Sequence, residues 1–269
     1  MSFLSDFCYV VLYHVVRYRR DVVRDNLEKS FPEKSLEEIR DIEKQFYHDF
    51  GDLLEEGLKL RKLSTDDLKE RITFTNPELI DGLYQKGRSL ILAMAHSGNW
   101  EWYCNMMETM LPYQPYAVYK KISNRYVDRL VYRLRSNHSK NENLLIETKE
   151  AKEALAHLGD TPSAVLILGD QSPKGDANDY WTDFLHRDTC WYTGIEKLAR
   201  KNDFGVVFVE MDRVARGHYA VTYKLVAENP RECEEGTILE RYVRLVERFI
   251  QCHPDNWLWS HRRWKHSRK

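Results

Sequence analysis

A histidine and a carboxylate stand five residues apart in the segment His96 to Glu101 (HSGNWE), directly after the apolar run Ser89 to Met94. A histidine held by a carboxylate is the usual way in which a protein obtains a base that can activate a hydroxyl at neutral pH. We expect Glu101 to accept a hydrogen bond from one ring nitrogen of His96, so that the other nitrogen is free to take a proton. No serine or cysteine in the segment has the surroundings of an activated nucleophile, so the hydroxyl would belong to the substrate. The alternative is a histidine that caps a helix beside a solvated glutamate.

A turn is needed between the two residues, because positions five apart in a continuous helix do not share a face. Gly98 and Asn99 allow such a turn, and the helix would begin near Asn99 or Trp100. Its N-terminus would oppose additional positive charge on the ring and favour the neutral base.

A second polar segment, Gly169 to Gly175 (GDQSPKG), follows the apolar run Ser163 to Leu168. Ligands of open parallel sheets gather outside the carboxyl ends of the strands. Asp170 and His96 both come directly after an apolar run, and we expect them to share one edge of a sheet. Asp170 would position a cationic side chain or the acceptor, and the alternative is that it only caps its loop.

Two cationic segments are further candidates. Arg133 and Arg135 stand two apart near a predicted helix end and therefore diverge, so one could bind an anionic group while the other faces solvent. The segment Pro254 to Lys265 interleaves tryptophans with cations, which suits a membrane interface or phosphate-bearing headgroups, or else tryptophans in the core with arginines outside. The candidate substrate-binding residues are Gly98, Asn99, Lys120, Gln171, Arg262 and Arg263.

The predicted secondary structure that positions these residues changes at Ile72, from helices to strands alternating with helices. Helices are predicted over 7–29 and 35–61, with a short helix from Ser64. Beyond Ile72, unbroken apolar runs alternate with helical segments, which is typical of a mostly parallel sheet covered on both faces. We therefore predict an α/β fold, with a mostly parallel central sheet and helices on both faces, preceded by an N-terminal helical hairpin. The predicted domains are a membrane-proximal helical segment, 1–71, and an α/β domain, 72–269.

The composition excludes several classes of protein. The chain of 269 residues is 42% hydrophobic and 31% charged, which argues against a polytopic membrane protein. Its formal net charge of −1 gives no overall basic field, and we expect no nucleic-acid partner. Five cysteines without a Cys-x-x-Cys pair indicate reduced thiols in a cytosolic compartment. Neither a P-loop, a dinucleotide-binding glycine fingerprint nor a metal-ligand cluster is present.

The first residues suit a membrane surface. The apolar stretch Phe3 to Val16 is interrupted by Asp6 and His14 and is too short to span a bilayer unaided. The basic segment Arg17 to Arg20 follows it, which favours a helix lying on an anionic membrane surface. A core helix with a solvated basic end is the alternative.

Four segments, taken together and in order, resemble the late acyltransferases of lipid A biosynthesis, the lauroyl/myristoyl transferase family. They are HSGNWE (96–101), YRLRSN (132–137), GDQSPKG (169–175) and NWLWSHRRWK (256–265). The first is the H-x4-E form of the H-x4-D/E box of the wider lysophospholipid acyltransferase superfamily. The resemblance runs from about Tyr13 to Lys265.

The resemblance implies a glycerolipid acyltransferase-like fold and the transfer of a fatty acyl chain from an acyl carrier protein or CoA thioester to a hydroxyl of a lipid A precursor. His96 would be the base and Glu101 its partner, with Arg133 and Asp170 as the other catalytic residues. Backbone donors near Gly98, or Arg133, would meet the developing oxyanion. The implied partners are the acyl carrier protein donor, a glycolipid acceptor and the inner-membrane surface. No metal or organic cofactor is implied.

Two departures from the family pattern leave questions open. The N-terminal span usually seen upstream is absent, so the resemblance implies a peripheral protein at the cytoplasmic face of the inner membrane, or one anchored by an upstream span missing here. The loop Tyr180 to Thr189 replaces a small, apolar stretch of many members, which leaves the acyl length and the acceptor open. The alternatives are an O-acyltransferase for another hydroxylated membrane lipid, such as an aminolipid or lysophospholipid, and an inactive lipid-binding relative.

Overall fold

The computed structural model describes residues 3–122, 124–141, 144–173 and 180–268. Ten α-helices and nine strands lie in this described part of the chain. The helices are α1 (Phe3–Tyr9), α2 (Arg20–Ser30), α3 (Leu36–Lys59), α4 (Thr65–Arg71), α5 (Glu78–Gln85), α6 (Trp100–Met110), α7 (Arg125–Arg135), α8 (Ala151–Ala154), α9 (Gly194–Asn202) and α10 (Thr237–Cys252). The strands are β1 (Ile72–Phe74), β2 (Leu90–Met94), β3 (Gln114–Tyr119), β4 (Leu145–Glu147), β5 (Ser163–Leu168), β6 (Tyr180–Phe184), β7 (Arg187–Trp191), β8 (Gly205–Ala215) and β9 (His218–Ala227).

Seven of these strands form one sheet in the order β1-β9-β8-β2-β5-β3-β4. Its neighbouring strands are parallel except for β8 and β9, which form an antiparallel hairpin. The sheet is therefore mostly parallel, and the predicted α/β fold is confirmed. Strands β6 and β7 pair as a separate antiparallel ribbon, which the sequence did not predict.

Strand β2 shows why its sequence is an unbroken apolar run. Successive side chains of a strand point to opposite faces of the sheet. Ile91 and Ala93 pack into the hydrophobic cluster that contains α10, whereas Leu90, Leu92 and Met94 pack into the one that contains α6. All five residues have an exposed fraction of 0%. A strand buried on both faces cannot alternate apolar and polar residues.

The N-terminal helical segment is present but interrupted. The predicted continuous helix over 7–29 is wrong, because α1 continues as a π-helix that ends at Val15, and α2 begins only at Arg20. Between them, Arg17 and Arg19 have positive φ angles of 52° and 53°. A right-handed helix does not contain this conformation.

Helix α3 begins at a capping box, as its sequence indicates. The Glu38 N–H donates to Ser35 Oγ at 3.3 Å, and the Ser35 N–H donates to the Glu38 carboxylate at 2.7 Å. The helix has 24 residues and is therefore about 36 Å long. Its middle turns pass beside His96, where Phe46 and Leu53 line a pocket. Within the described ranges, no helix is long and apolar enough to cross a membrane.

Candidate active site

His96 and Asp170 meet at the carboxyl edge of the central sheet. Met94, the last residue of β2, lies opposite Leu168, the last residue of β5. Because the two strands are parallel and in register, the residues two positions further on are also side by side. His96 Nδ1 lies 2.6 Å from Asp170 Oδ1, and the His96 N–H donates to Asp170 Oδ2 at 3.0 Å. The expected convergence of these two residues is therefore present.

Asp170 is held as a carboxylate. The residue is 1% exposed, and Trp257 Nε1 donates to its Oδ2 at 2.7 Å. Burial alone would raise the pKa of Asp170, but the charge of His96 and the hydrogen bonds from His96 and Trp257 together lower it to about 2. A carboxylate can only accept, so in the neutral imidazole of His96 the proton is on Nδ1 and Nε2 keeps its lone pair.

The free nitrogen of His96 borders a pocket at the surface. Gln171 Nε2 donates to His96 Nε2 at 3.2 Å, and the His96 side chain is 16% exposed. The indole of Trp100 lies edge-on to the imidazole, with ring centroids 5.1 Å apart. Of the predicted GDQSPKG segment, Lys174 and Gly175 lie outside the described residues.

Glu101 does not contact His96, and the prediction that it orients the imidazole is corrected. Its carboxylate accepts from Arg135 Nη2 at 2.7 Å and from Arg135 Nε at 2.8 Å, and Trp100 Nε1 also donates to it. Glu101 lies in the first turn of α6, which packs against α7, and α7 presents Arg135 to it. The carboxylate from the neighbouring strand end is the one that reaches the imidazole.

Two predicted substrate-binding residues, Gly98 and Asn99, build the loop that carries His96. Gly98 has a φ of 58°, and a Cβ at this position would lie 2.6 Å from the Met211 carbonyl oxygen, so only glycine fits. The Gly98 N–H donates to Asn256 Oδ1 at 2.8 Å. Asn99 is 0% exposed and caps α6 by accepting from the Trp102 N–H at 3.0 Å. Gly98 also lines the His96 pocket, and Asn99 holds the start of α6, so direct substrate binding by either residue stays a prediction.

Asn99 is itself fixed by a buried glutamate. Its Nδ2 donates to Glu56 Oε2 at 2.7 Å, and the Tyr219 hydroxyl donates to the same oxygen at 2.7 Å. Burial raises the pKa of Glu56, while these two hydrogen bonds oppose the increase. The sequence analysis did not identify Glu56, because no local motif connects α3 with the loop after β2.

The C-terminal segment packs beneath the site. Arg263 is 2% exposed, donates to the Cys190 carbonyl at 2.7 Å and stacks on Trp191. Burial lowers the pKa of Arg263 to about 10, although the charge of Asp170 opposes this. The side chain does not line the His96 pocket, so its predicted substrate-binding role has no support from the geometry. Arg262 is exposed but does not line the His96 pocket.

The other predicted cations also lie away from the imidazole. Arg133 is exposed on α7, where it lines a separate groove of about 420 Å³ with Arg61 and Arg129. Lys120 is exposed at the end of β3. Neither lines the His96 pocket, so the expectation that Arg133 meets an oxyanion at His96 is not supported by the geometry.

Residues of α3 and β8 complete the pocket around His96, and sequence reasoning missed them. The pocket has a volume of about 30 Å³, and Phe46, Phe50 and Leu53 form one of its walls. Arg213 lines it as well and is paired with two aspartates of α3. In the described part of the chain, no three His, Cys, Asp or Glu side chains lie close enough together to hold a metal ion.

A match to a known protein family covers almost the whole chain. Residues 2–266 match the model of the bacterial lipid A biosynthesis acyltransferases. The chain belongs to this family. No curated protein matches the chain.

Membership assigns the reaction class. The protein is an acyltransferase of lipid A biosynthesis, an enzyme whose substrates are an acyl donor and a lipid acceptor. The match covers the whole of the sheet and both strand ends that carry His96 and Asp170. In this lipid A biosynthesis acyltransferase, the imidazole is held by the carboxylate of the second strand end rather than by the carboxylate of the H-x4-E box.

Proposed function

We propose that this acyltransferase uses His96 as a general base to transfer a fatty acyl chain from an acyl carrier protein or CoA thioester to a hydroxyl of a lipid A precursor. The observation that carries the proposal is the 2.6 Å contact between His96 Nδ1 and the buried carboxylate of Asp170. This contact supports a ring whose Nε2 is the proton acceptor, at the edge of a surface pocket.

The residues have distinct roles in the proposed step. A hydroxyl is a weak nucleophile, and loss of its proton as it attacks the thioester carbonyl lowers the barrier. The hydroxyl proton passes to His96 Nε2, the atom that accepts a hydrogen bond from the Gln171 amide in the structure. Asp170 stabilises the imidazolium that forms. The imidazolium then returns the proton to the departing thiolate. Glu101 is a positioning residue, because its ion pair with Arg135 fixes α6 against α7.

The test is the transfer rate of His96→Ala. General base catalysis contributes about 10²–10⁴-fold, so we expect a loss in this range while the protein stays folded. Acyl carrier protein and CoA thioesters are each incubated with a lipid A precursor, and the products are read by mass spectrometry. His157→Ala, an exposed histidine on a 3₁₀ turn, is the matched control and should keep full activity. Transfer at the wild-type rate in His96→Ala contradicts the proposal.

The same assay separates the possible acceptors. A lysophospholipid and a hydroxylated aminolipid are offered beside the lipid A precursor, each at equal concentration. Preferential acylation of the lipid A precursor is the expected result. Preferential acylation of one of the other lipids would support the proposed base chemistry but assign a different acceptor. If the acyl donor is not consumed with any of the three lipids, the proposed transfer is contradicted.

The arginine groove beside α7 is the proposed site for an anionic headgroup of the acceptor. Arg61, Arg129 and Arg133 line it, and none of them is ion-paired with a described residue. Guanidinium groups bind phosphate oxygens through two parallel N–H···O hydrogen bonds. Arg61 follows the end of α3, eight residues beyond Leu53 in the His96 pocket, which is about 12 Å along a helix axis. This spacing suits a lipid that spans both places.

The double variant Arg129→Gln/Arg133→Gln tests the groove. We expect the KM for a phosphorylated acceptor to rise at least about tenfold, as the loss of a charged hydrogen bond of roughly 1.5–3 kcal/mol implies. Arg40→Gln, an exposed arginine on α3, is the control. An unchanged KM, or an equal rise for a dephosphorylated acceptor, contradicts a phosphate-binding role.

The N-terminal helices are the proposed membrane contact at the cytoplasmic face of the inner membrane. Phe3, Phe7 and Val15 are 87%, 57% and 70% exposed, and Arg17 follows them. Such a face suits an anionic bilayer surface. In sedimentation with vesicles that contain phosphatidylglycerol, Phe7→Glu should reduce binding more than Leu36→Glu, which changes an exposed leucine at the start of α3. Equal binding of the two variants contradicts this assignment.

A further inference from the structure

Ser97 carries a buried hydroxyl that has no hydrogen-bond partner among the described residues. The residue is 1% exposed, and its Oγ has neither a donor nor an acceptor within reach. Most buried polar side-chain atoms are hydrogen-bonded, and an unpaired one destabilises the fold. Ser97 is one of the residues that line the same pocket as His96 and Trp100. A ligand atom in that pocket would give the hydroxyl a partner.

The backbone donor expected at this turn is already engaged. The Gly98 N–H donates to Asn256 Oδ1 at 2.8 Å, so it is not available to a substrate. The N–H groups of Trp100 and Glu101, in the first turn of the 11-residue α6, have no acceptor in the part of the chain that the structure describes. A helix N-terminus favours negative charge, and Ser97 precedes it. These groups together make this side of the pocket suitable for an anionic oxygen.

Resting on the proposed function, we propose that the Ser97 hydroxyl donates a hydrogen bond to the oxyanion of the tetrahedral intermediate. The acceptor oxygen forms a bond to the thioester carbonyl carbon while its proton passes to His96 Nε2. The π electron pair of the carbonyl moves to its oxygen, which then accepts from Ser97 Oγ–H. On collapse, the C=O bond re-forms, the C–S bond breaks, and the thiolate takes the proton from His96.

Ser97 is a donor in this scheme and not the nucleophile. A serine nucleophile is activated by a hydrogen bond to its base. The only hydrogen bonds of the His96 ring join it to Asp170 and Gln171 within the described ranges. Ser97 Oγ has no such bond to the imidazole.

The Ser97→Ala variant gives opposite expectations for catalysis and for stability. Removal of one oxyanion donor costs about 10²–10³-fold in kcat, so we expect kcat to fall about 100-fold with KM within about twofold of the wild type. Removal of an unpaired buried hydroxyl should leave the urea midpoint of unfolding equal or higher. A structural serine would show the reverse, with a lower midpoint and little change in kcat.

Ser30 offers a matched control in the same chain. It lies on α2, is 1% exposed, and its Oγ is also unpaired, but it does not line the His96 pocket. Ser30→Ala should change the urea midpoint as Ser97→Ala does and leave kcat unchanged. The proposal is overturned if Ser97→Ala keeps kcat within threefold of the wild type, or if its loss of kcat comes with a lowered midpoint. His96→Ala is assayed in parallel. Full activity of His96→Ala would contradict the proposed role of His96 as the base, whereas the kcat and urea midpoint of Ser97→Ala decide the role of Ser97.

Discussion

The substitution Asp170→Asn should abolish the base at His96 by changing the tautomer of the imidazole. Asp170 Oδ2 accepts from both the His96 N–H and Trp257 Nε1, and Oδ1 accepts from His96 Nδ1. An asparagine has one oxygen, and two of these three donors lie on the Oδ2 side. When the asparagine oxygen occupies the Oδ2 position, its NH2 group faces His96 Nδ1. His96 Nδ1 must then accept a hydrogen bond from this NH2 group. The ring proton moves to Nε2, and Nε2 can no longer take a proton from the substrate.

The expected magnitude follows from the loss of the base. The corresponding change in a serine protease triad lowers kcat about 10⁴-fold through the wrong tautomer. We expect a loss of about 10³–10⁴-fold here, which corresponds to about 4–5.5 kcal/mol of activation free energy. Glu101→Gln is the contrasting variant, because a glutamine oxygen can still accept from Arg135. The glutamine oxygen can keep the bonds from Arg135 Nη2 and Trp100 Nε1, while the charge and the bond from Arg135 Nε are lost. Because Glu101 does not contact the imidazole, the rate should fall about tenfold or less.

The assay compares initial rates of acyl transfer for both variants and the wild type at one temperature. Thermal unfolding of each variant is recorded first, because Asp170→Asn also removes charge near the buried Arg263 and should lower the melting temperature. Rates are therefore measured well below the lowest transition. A larger loss in Glu101→Gln than in Asp170→Asn would falsify the assignment of Asp170 as the residue that orients His96.

Three further predictions concern stability. Burial lowers the pKa of His261 to about 4, so the unfolded chain binds this proton more readily than the folded protein does. The unfolding free energy should therefore fall as pH decreases from about 6.5 to about 4, by at most about 3 kcal/mol and less with solvent screening. Urea titrations of the wild type and His261→Gln over this pH range check the difference. Gly98→Ala should cost about 2 kcal/mol or more, since its Cβ would meet the backbone of Met211 at a positive φ, and a urea midpoint equal to the wild type would contradict this. Glu56→Ala should cost about 2–4 kcal/mol because it leaves the Asn99 amide and a tyrosine hydroxyl unpaired, whereas Glu56→Gln should recover most of this loss in the same titration.

The elements around the site were predictable because their signals are local. An apolar run of five or six residues marks each of β2 and β5, and a serine followed three residues later by an acidic residue marks the starts of α3 and α4. The break at Arg17 and Arg19 was not predictable, because neither residue type favours a positive φ. The β6–β7 ribbon was also missed, because Tyr180–Phe184 and Arg187–Trp191 mix polar and apolar residues without clear alternation.

The sequence was sufficient to predict which strand ends meet at the site, but not which side chains contact each other there. That His96 and Asp170 share one edge follows from two parallel strands, which the sequence indicates. Which carboxylate touches the ring depends on the register of β2 against β5, and a register is a property of the assembled sheet. Glu56 and Phe46 reach the site from α3, a helix whose place in the fold has no marker near His96 in the sequence.

The choice between the two carboxylates also follows from their surroundings. Glu101 begins a helix and stands opposite a guanidinium that offers it two hydrogen bonds, so turning toward His96 would leave Arg135 without its partner. Among the described residues, Asp170 has no competing cation in direct contact, and its three hydrogen bonds there come from His96 and Trp257. In these positions, each carboxylate accepts hydrogen bonds from the donors that face it. A substitution of Arg135 by leucine would free Glu101 without creating a second acceptor for His96, since Nδ1 has only one proton and Asp170 already accepts it.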